Sequence, residues 1–231
     1  MHTYLLHFLA ATPSISINLG KSLARPSESI LIILALTILA VAPAALVMLT
    51  SFPRIVVVLA FVRNALGLQT VPPNQVLAGL ALFLSLLVMG PTLSKMNTVA
   101  LQPYLHGKLD ATQAYRAAEK PLDTWMLDQT RTSDLVMFEN EAHVHPAKPS
   151  AAPMDVVIPA FILSELESAF IIGFVLFVPF MIIDLVVSAT LMSMGIVMLP
   201  PTLVSLPFKI LLFVMVDGWA LVVHSLLGSF R

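Results

Sequence analysis

The run DLVVSATLMSMGIVMLPPTLVSLPFK, residues 184–209, decides how the chain is read. Apolar residues with no acid or base extend from Leu185 to Phe208, interrupted by Gly195 and the double proline Pro200–Pro201. Two prolines in succession stop a helix, so the run reads as the tip of a hairpin between two apolar helices. Met192, Met194 and Met198 gather at that tip. Methionine is unbranched and repacks readily, so these side chains are either core filler or a compressible constriction that excludes water. Asp184 and Lys209 bound the run. Counted from the turn, Asp184 and Asp217 lie at about the same level, ~24 Å from the tip on a 1.5 Å rise.

Outward from the tip, the whole chain shares its character. Of 231 residues, 58% are hydrophobic and 11% charged, with a mean hydropathy of +0.93. Soluble domains carry ~25% charged residues, so a soluble enzyme is excluded. The net charge of −1 gives no field to attract nucleic acid. Cysteine is absent, which removes disulfides and thiolate chemistry.

Residues 1–29 read as a weak signal peptide or a linker: the apolar run is short and its basic region is only His2. Residues 30–50 are uncharged and long enough to cross ~30 Å of hydrocarbon, with a kink at Pro43. In residues 51–74, Arg54 and Arg63 flank IVVVLAF with no acid nearby. This segment is expected to lie on the cytoplasmic side, as a continuation of the first helix or as a re-entrant or surface helix. Asn74 is expected to cap the next helix, which ends near Pro91 and Lys95. Residues 97–155 are polar and carry an acid excess, which suits an extracytoplasmic helical segment. His143 and His145 lie two apart, too few for a metal site. Residues 156–199 are too long for one crossing and carry Pro179 near the middle. Residues 203–230 form the last apolar helix. The fold expected is all-α and membrane-type, with about four long kinked apolar helices in hairpins. The segments are 1–29, 30–96 (first hairpin), 97–155 (extracytoplasmic) and 156–231 (second hairpin).

Charges at bilayer depth cost ~2.5–3.5 kcal/mol, so they pair or line a wet path. Glu165, Asp184, Lys209 and Asp217 are the candidates. Glu165 meets Lys209 if the chain folds back at Pro179; otherwise Lys209 pairs across subunits or snorkels to an interface.

Three stretches carry a family resemblance: SFPRIVVVLAFVRNALGLQTVPPNQVLAGLALFLSLLVMGP (51–91), IPAFILSELESAFIIGFVLFVPFMIIDLVVSATLMSMGIVMLPP (158–201) and LPFKILLFVMVDGWALVVHSLLGSF (206–230). Together they are about half the chain, and they resemble the FliP family of flagellar biosynthesis proteins and, more distantly, the SctR proteins of type III secretion. The resemblance implies a non-enzymatic, cofactor-free subunit of the flagellar export gate, multi-pass in the bacterial inner membrane within the basal body. It implies a homo-oligomer, expected to be a pentamer, around a channel shared with FliQ and FliR and completed by FlhB and FlhA. Unfolded flagellar subunits would pass through it, within membrane lipid. By the same resemblance the residues around Gly195 to Leu199 form the pore gasket, here Met194, Ile196, Val197 and Met198. Typical members carry methionine where this chain has Ile196 and Val197, and β-branched residues repack less readily. Glu165 and Lys209 resemble the family's inter-subunit ion pair. SFPRI stands where SFTRI is more usual, which leaves the helix path at Pro53 open. The alternative function is a small-solute or proton-coupled transporter with the buried acids Asp184 and Asp217 as relay. An intramembrane hydrolase gains little from His224 beside Ser225, because adjacent helix residues diverge.

Overall fold

The computed structural model describes residues 26–196 and 198–230. The signal-peptide or linker reading of residues 1–29 therefore falls almost wholly outside the described residues. Helix α1, Pro26–Met48, opens on a proline, whose fixed φ and missing N–H suit a first turn, and runs through Pro43. Among the described residues, 26–45 and 46–230 form two separate units. The second unit contains everything that follows, and among its described residues no strand occurs.

Helix α2, Phe52–Ala65, is the centre of this unit. Pro53 lies in its first turn, where no backbone donor is needed, so the SFPRI variant leaves the helix path intact. The helix ends at Gly67, φ +78°, whose N–H donates to the Asn64 carbonyl at 2.9 Å while the Leu68 N–H donates to Arg63 at 3.2 Å. Ile55, Val58, Leu59 and Val62 are buried. The short, arginine-flanked segment is thus a core helix of this unit rather than a surface helix. Each of those side chains contributes ~1.5–3 kcal/mol on burial.

Helix α3, Asn74–Met96, continues through a π-helical turn at Asn97–Leu101 into α4, Gln102–Leu105. Pro73 occupies its capping position, and the Asn74 side chain instead accepts from Arg63 Nη1 at 2.6 Å. Helix α5, Ala111–Gln129, starts at an Asp110–Gln113 capping box and passes through Pro121 unbroken. Helix α6 follows at Thr132–Glu141.

Helix α7, Met154–Ser193, runs for 40 residues, ~60 Å, through Pro159 and Pro179. The chain does not fold back at Pro179. Proline is tolerated inside apolar helices when neighbours re-satisfy the freed carbonyls. The last apolar segment is not one helix but two, α8 (Pro201–Met215) and α9 (Gly218–Gly228), bent by 65°.

Two apolar cores result. The first joins α2 to Leu77 and Ala81 of α3, Ala169 and Phe180 of α7, Phe213 of α8, and Val222 and Leu226 of α9. Gly173 of α7 lets Phe61 of α2 approach, since a Cβ there would stand 2.7 Å from the Phe61 ring. The second core holds Met89, Trp125, Met126, Leu135, Val157 and Phe161, with Trp125 and Phe161 edge-to-face at 5.2 Å. Residues Asn74–Leu105 and Met154–Ser193 are long and apolar enough to cross a membrane, and the bent α8–α9 pair would make a third span. In α7 only 11% of the most apolar stretch is buried within the chain, so its surface suits lipid or neighbouring subunits.

Candidate functional site

The hairpin tip is built by backbone geometry first. Helix α7 ends in a Schellman motif: the Gly195 N–H donates to Met192 and the Ile196 N–H to Leu191, at 3.1 and 3.0 Å. Gly195 holds φ +73°, a left-handed conformation that costs other residues ~1–2 kcal/mol. Pro200 and Pro201 then start α8, with Pro201 at its first position.

This cap throws the tip side chains outward. Met198 is 99% exposed, Met192 71% and Met194 67%, with Ile196 and Leu199 partly so. None of the three methionines fills the chain's own core, which removes the core-filler alternative for them. Val197 lies outside the described residues.

The charges behind the tip are tied down. Lys209 Nζ is buried and donates to Asp184 Oδ2 at 2.5 Å and to the Ala65 carbonyl at 3.2 Å. Ser205 Oγ donates to the other Asp184 oxygen at 2.6 Å. One lysine thus clamps α7 to α8 and satisfies a carbonyl at the C-terminal end of α2, where a cation also meets the helix dipole.

A second node sits at the other end of α2. Arg54 Nε donates to Glu165 Oε2 at 3.0 Å, and Arg54 Nη2 donates to Glu165 Oε1. Its Nη1 donates to the Ser229 carbonyl at 2.9 Å, and its guanidinium lies 4.2 Å from the centre of the Phe230 ring. Glu165 is 0% exposed. Beside it, Ser164 Oγ donates to Asp134 Oδ2 at 2.5 Å and accepts from the Arg131 N–H at 3.0 Å, which anchors α6 to α7.

The sequence pairs Glu165 with Lys209, within a chain folded back at Pro179 or between subunits. Within the chain the structure gives each a different partner, Arg54 and Asp184. The continuous α7 carries Glu165 far from the α7–α8 hairpin, which is why the fold-back pairing fails. The two acids taken as buried also separate. Asp184 is partly exposed at 30% and ion-paired; Asp217 is exposed, at φ 50°, in the break between α8 and α9. From the sequence, Arg54 serves only as a marker of orientation. The signal for its true role was present: an arginine and a glutamate in separate apolar helices require partners.

A family model of the FliP family matches residues 35–226. The chain belongs to the FliP family of flagellar biosynthetic proteins. The flagellar biosynthetic protein FliP of Bacillus subtilis (strain 168) is 51% identical over 205 residues, covering 88% of this chain and 93% of the relative. Its Caulobacter vibrioides counterpart is 45% identical over 222 residues, covering 96% and 84%. That of Aquifex aeolicus is also 45% identical over 222 residues, covering 95% and 92%. The FliP match includes α2, α3, α7 and α8, and so both ion pairs and the tip.

Proposed function

We propose that this FliP-family chain is a pore-forming subunit of the flagellar type III export gate. Copies of it assemble with FliQ and FliR around a channel, with FlhB and FlhA completing the apparatus, and unfolded flagellar subunits pass through. The observation that carries this reading is the tip: three exposed methionines on a hairpin whose backbone and charges are fully engaged behind them. A ring of such tips closes a channel by excluding water, since an apolar constriction gates by dewetting. Methionine side chains yield to a passing chain, while the Schellman cap and the Lys209–Asp184 clamp keep the backbone in register. Met194, Ile196, Val197 and Met198 are the seal of each subunit. Ile196 stiffens it relative to methionine.

Glu165 is fully enclosed and Lys209 has its acid in the same chain, which favours two pairs within each subunit over one pair between subunits. The reading places the subunit in the inner membrane as a multi-pass component, with residues 97–155 outside the cytoplasm on the strength of their acid excess. Arg54 no longer counts toward orientation, because its charge is buried against Glu165. The transporter alternative needs Asp184 free to relay protons, and Lys209 and Ser205 occupy it.

The test is a clean deletion. Loss of flagellar filaments and motility with unchanged solute uptake supports the gate; normal motility contradicts it.

A further inference from the structure

A cavity of about 840 Å³ opens between α3, α5 and the C-terminal end of α9. Its volume is in the range of small-molecule sites, ~300–1,000 Å³. One wall is apolar and comes from Leu87 and Val88 of α3 with Leu227 and Phe230 of the C-terminal segment. Lys95, Lys120 and Asp128 share the lining with Trp125. Among the described residues neither lysine forms an ion pair, and both are exposed.

We propose that this cavity binds one anionic glycerophospholipid, with phosphatidylglycerol as its representative. Depth is the first argument. Lys95 follows about 20 uncharged residues of α3, ~30 Å of helix, so with α3 crossing the bilayer it stands at headgroup level. Leu87 and Val88 lie two turns deeper, where acyl chains run. Trp125, buried against Phe161 in the second core, forms the inner wall of the cavity. Helix α5, which contributes Lys120, is polar and amphipathic and suits the plane of that interface.

Charge is the second argument. Two lysines against one carboxylate leave the cavity with a net positive charge, which attracts an anionic headgroup. The phosphate is received by Lys95 and Lys120. Asp128 accepts from a hydroxyl of the glycerol headgroup. Phosphatidylcholine offers Asp128 no donor, because its quaternary ammonium carries no N–H. Phosphatidylethanolamine offers a donor but no net charge.

The test uses the purified full-length protein in mild detergent, exposed in turn to phosphatidylglycerol, phosphatidylethanolamine and phosphatidylcholine of identical acyl chains, with bound lipid read by native mass spectrometry. Phosphatidylglycerol should be retained about tenfold over phosphatidylcholine, which is ~1.4 kcal/mol. The double variant Lys95→Gln/Lys120→Gln should lose that preference while melting at the same temperature without added lipid. Single Lys95→Arg retains the charge and should retain the lipid. Equal retention of all three lipids, phosphatidylethanolamine at or above phosphatidylglycerol, or a double variant that still prefers phosphatidylglycerol would overturn the proposal. A cysteine at Thr124, in this cysteine-free chain, reports the other occupant. Efficient disulfide formation between two copies through that cysteine would show a second subunit in the cavity and likewise overturn it.

Discussion

Arg54 and Glu165 form a two-pronged ion pair in the interior, with Glu165 fully enclosed and Arg54 also holding the backbone of Ser229. It joins α2 to α7 across 111 residues of sequence and to Ser229 across 175. Removing one partner leaves a buried charge uncompensated, which costs about 3–5 kcal/mol. Arg54→Ala and Glu165→Ala are therefore expected to lower thermal stability sharply and to cut the level of protein in the membrane. Arg54→Lys is expected to fail as well, because a lysine cannot supply the two-pronged geometry. Wild-type melting of Arg54→Lys would contradict this.

The clamp behind the tip is testable by a double-mutant cycle. Asp184→Leu leaves Lys209 buried without its acid and is expected to cost about 3–5 kcal/mol. Lys209→Met with Asp184→Leu replaces both charges by apolar groups and is expected to cost clearly less than the two singles summed. A parallel cycle on Glu165 and Lys209 should be additive within about 0.5 kcal/mol, because the two lack a shared partner. Strong coupling in that second cycle within the assembled oligomer would restore a pair between subunits.

How far these contacts could be read from the sequence differs by element. The apolar segments, the helical class and the turn at Pro200–Pro201 follow from uncharged run lengths and from proline chemistry, both of which are local. Pro179 misleads for the same reason. It reads locally as a break, yet inside α7 the tertiary and membrane-like setting keeps the helix continuous. Charges at both ends of α2 suggest a surface, and only the fold shows that Arg54 turns inward. The partner of Glu165 lies too far along the chain for any spacing rule to find. Counting from Pro200–Pro201 puts Asp184 level with Asp217 and misses Lys209, because α7 already ends at Ser193; measured from the true helix ends, Asp184 and Lys209 stand at the same level and pair.

Gly195 terminates α7 in a left-handed conformation. Gly195→Ala is expected to cost ~1–2 kcal/mol and to fray the last turn, with Gly195→Asn milder because asparagine tolerates that region better. Export of filament subunits in the two variants should rank glycine, then asparagine, then alanine. Equal export by glycine and alanine would contradict a role for the cap.

Asp123 of α5 gives a pH-dependent handle outside the spans. Burial raises its carboxyl above the ordinary value of 3.8, and Glu119 raises it further. Its Oδ1 is buried without a hydrogen-bond partner among the described residues. The folded state therefore holds this proton to higher pH than the unfolded chain does. The stability from the protonated form is complete below about pH 4 and is lost as pH rises through the raised value. Asp123→Asn should melt above wild type at pH 7, and the gap should close toward pH 4. A gap that widens on acidification would reverse the sign and contradict the assignment.

In the proposed gate, exposed methionines at the tip seal the channel. Met198→Ala removes volume from that seal and leaves the Schellman cap and the Lys209–Asp184 clamp untouched. Ion conductance of the inner membrane, measured in cells carrying Met198→Ala at wild-type protein levels, is the most direct test. The expected result is a steady leak of small ions, reduced again by Met198→Leu, which restores the volume. A membrane as tight as wild type with Met198→Ala would contradict the seal.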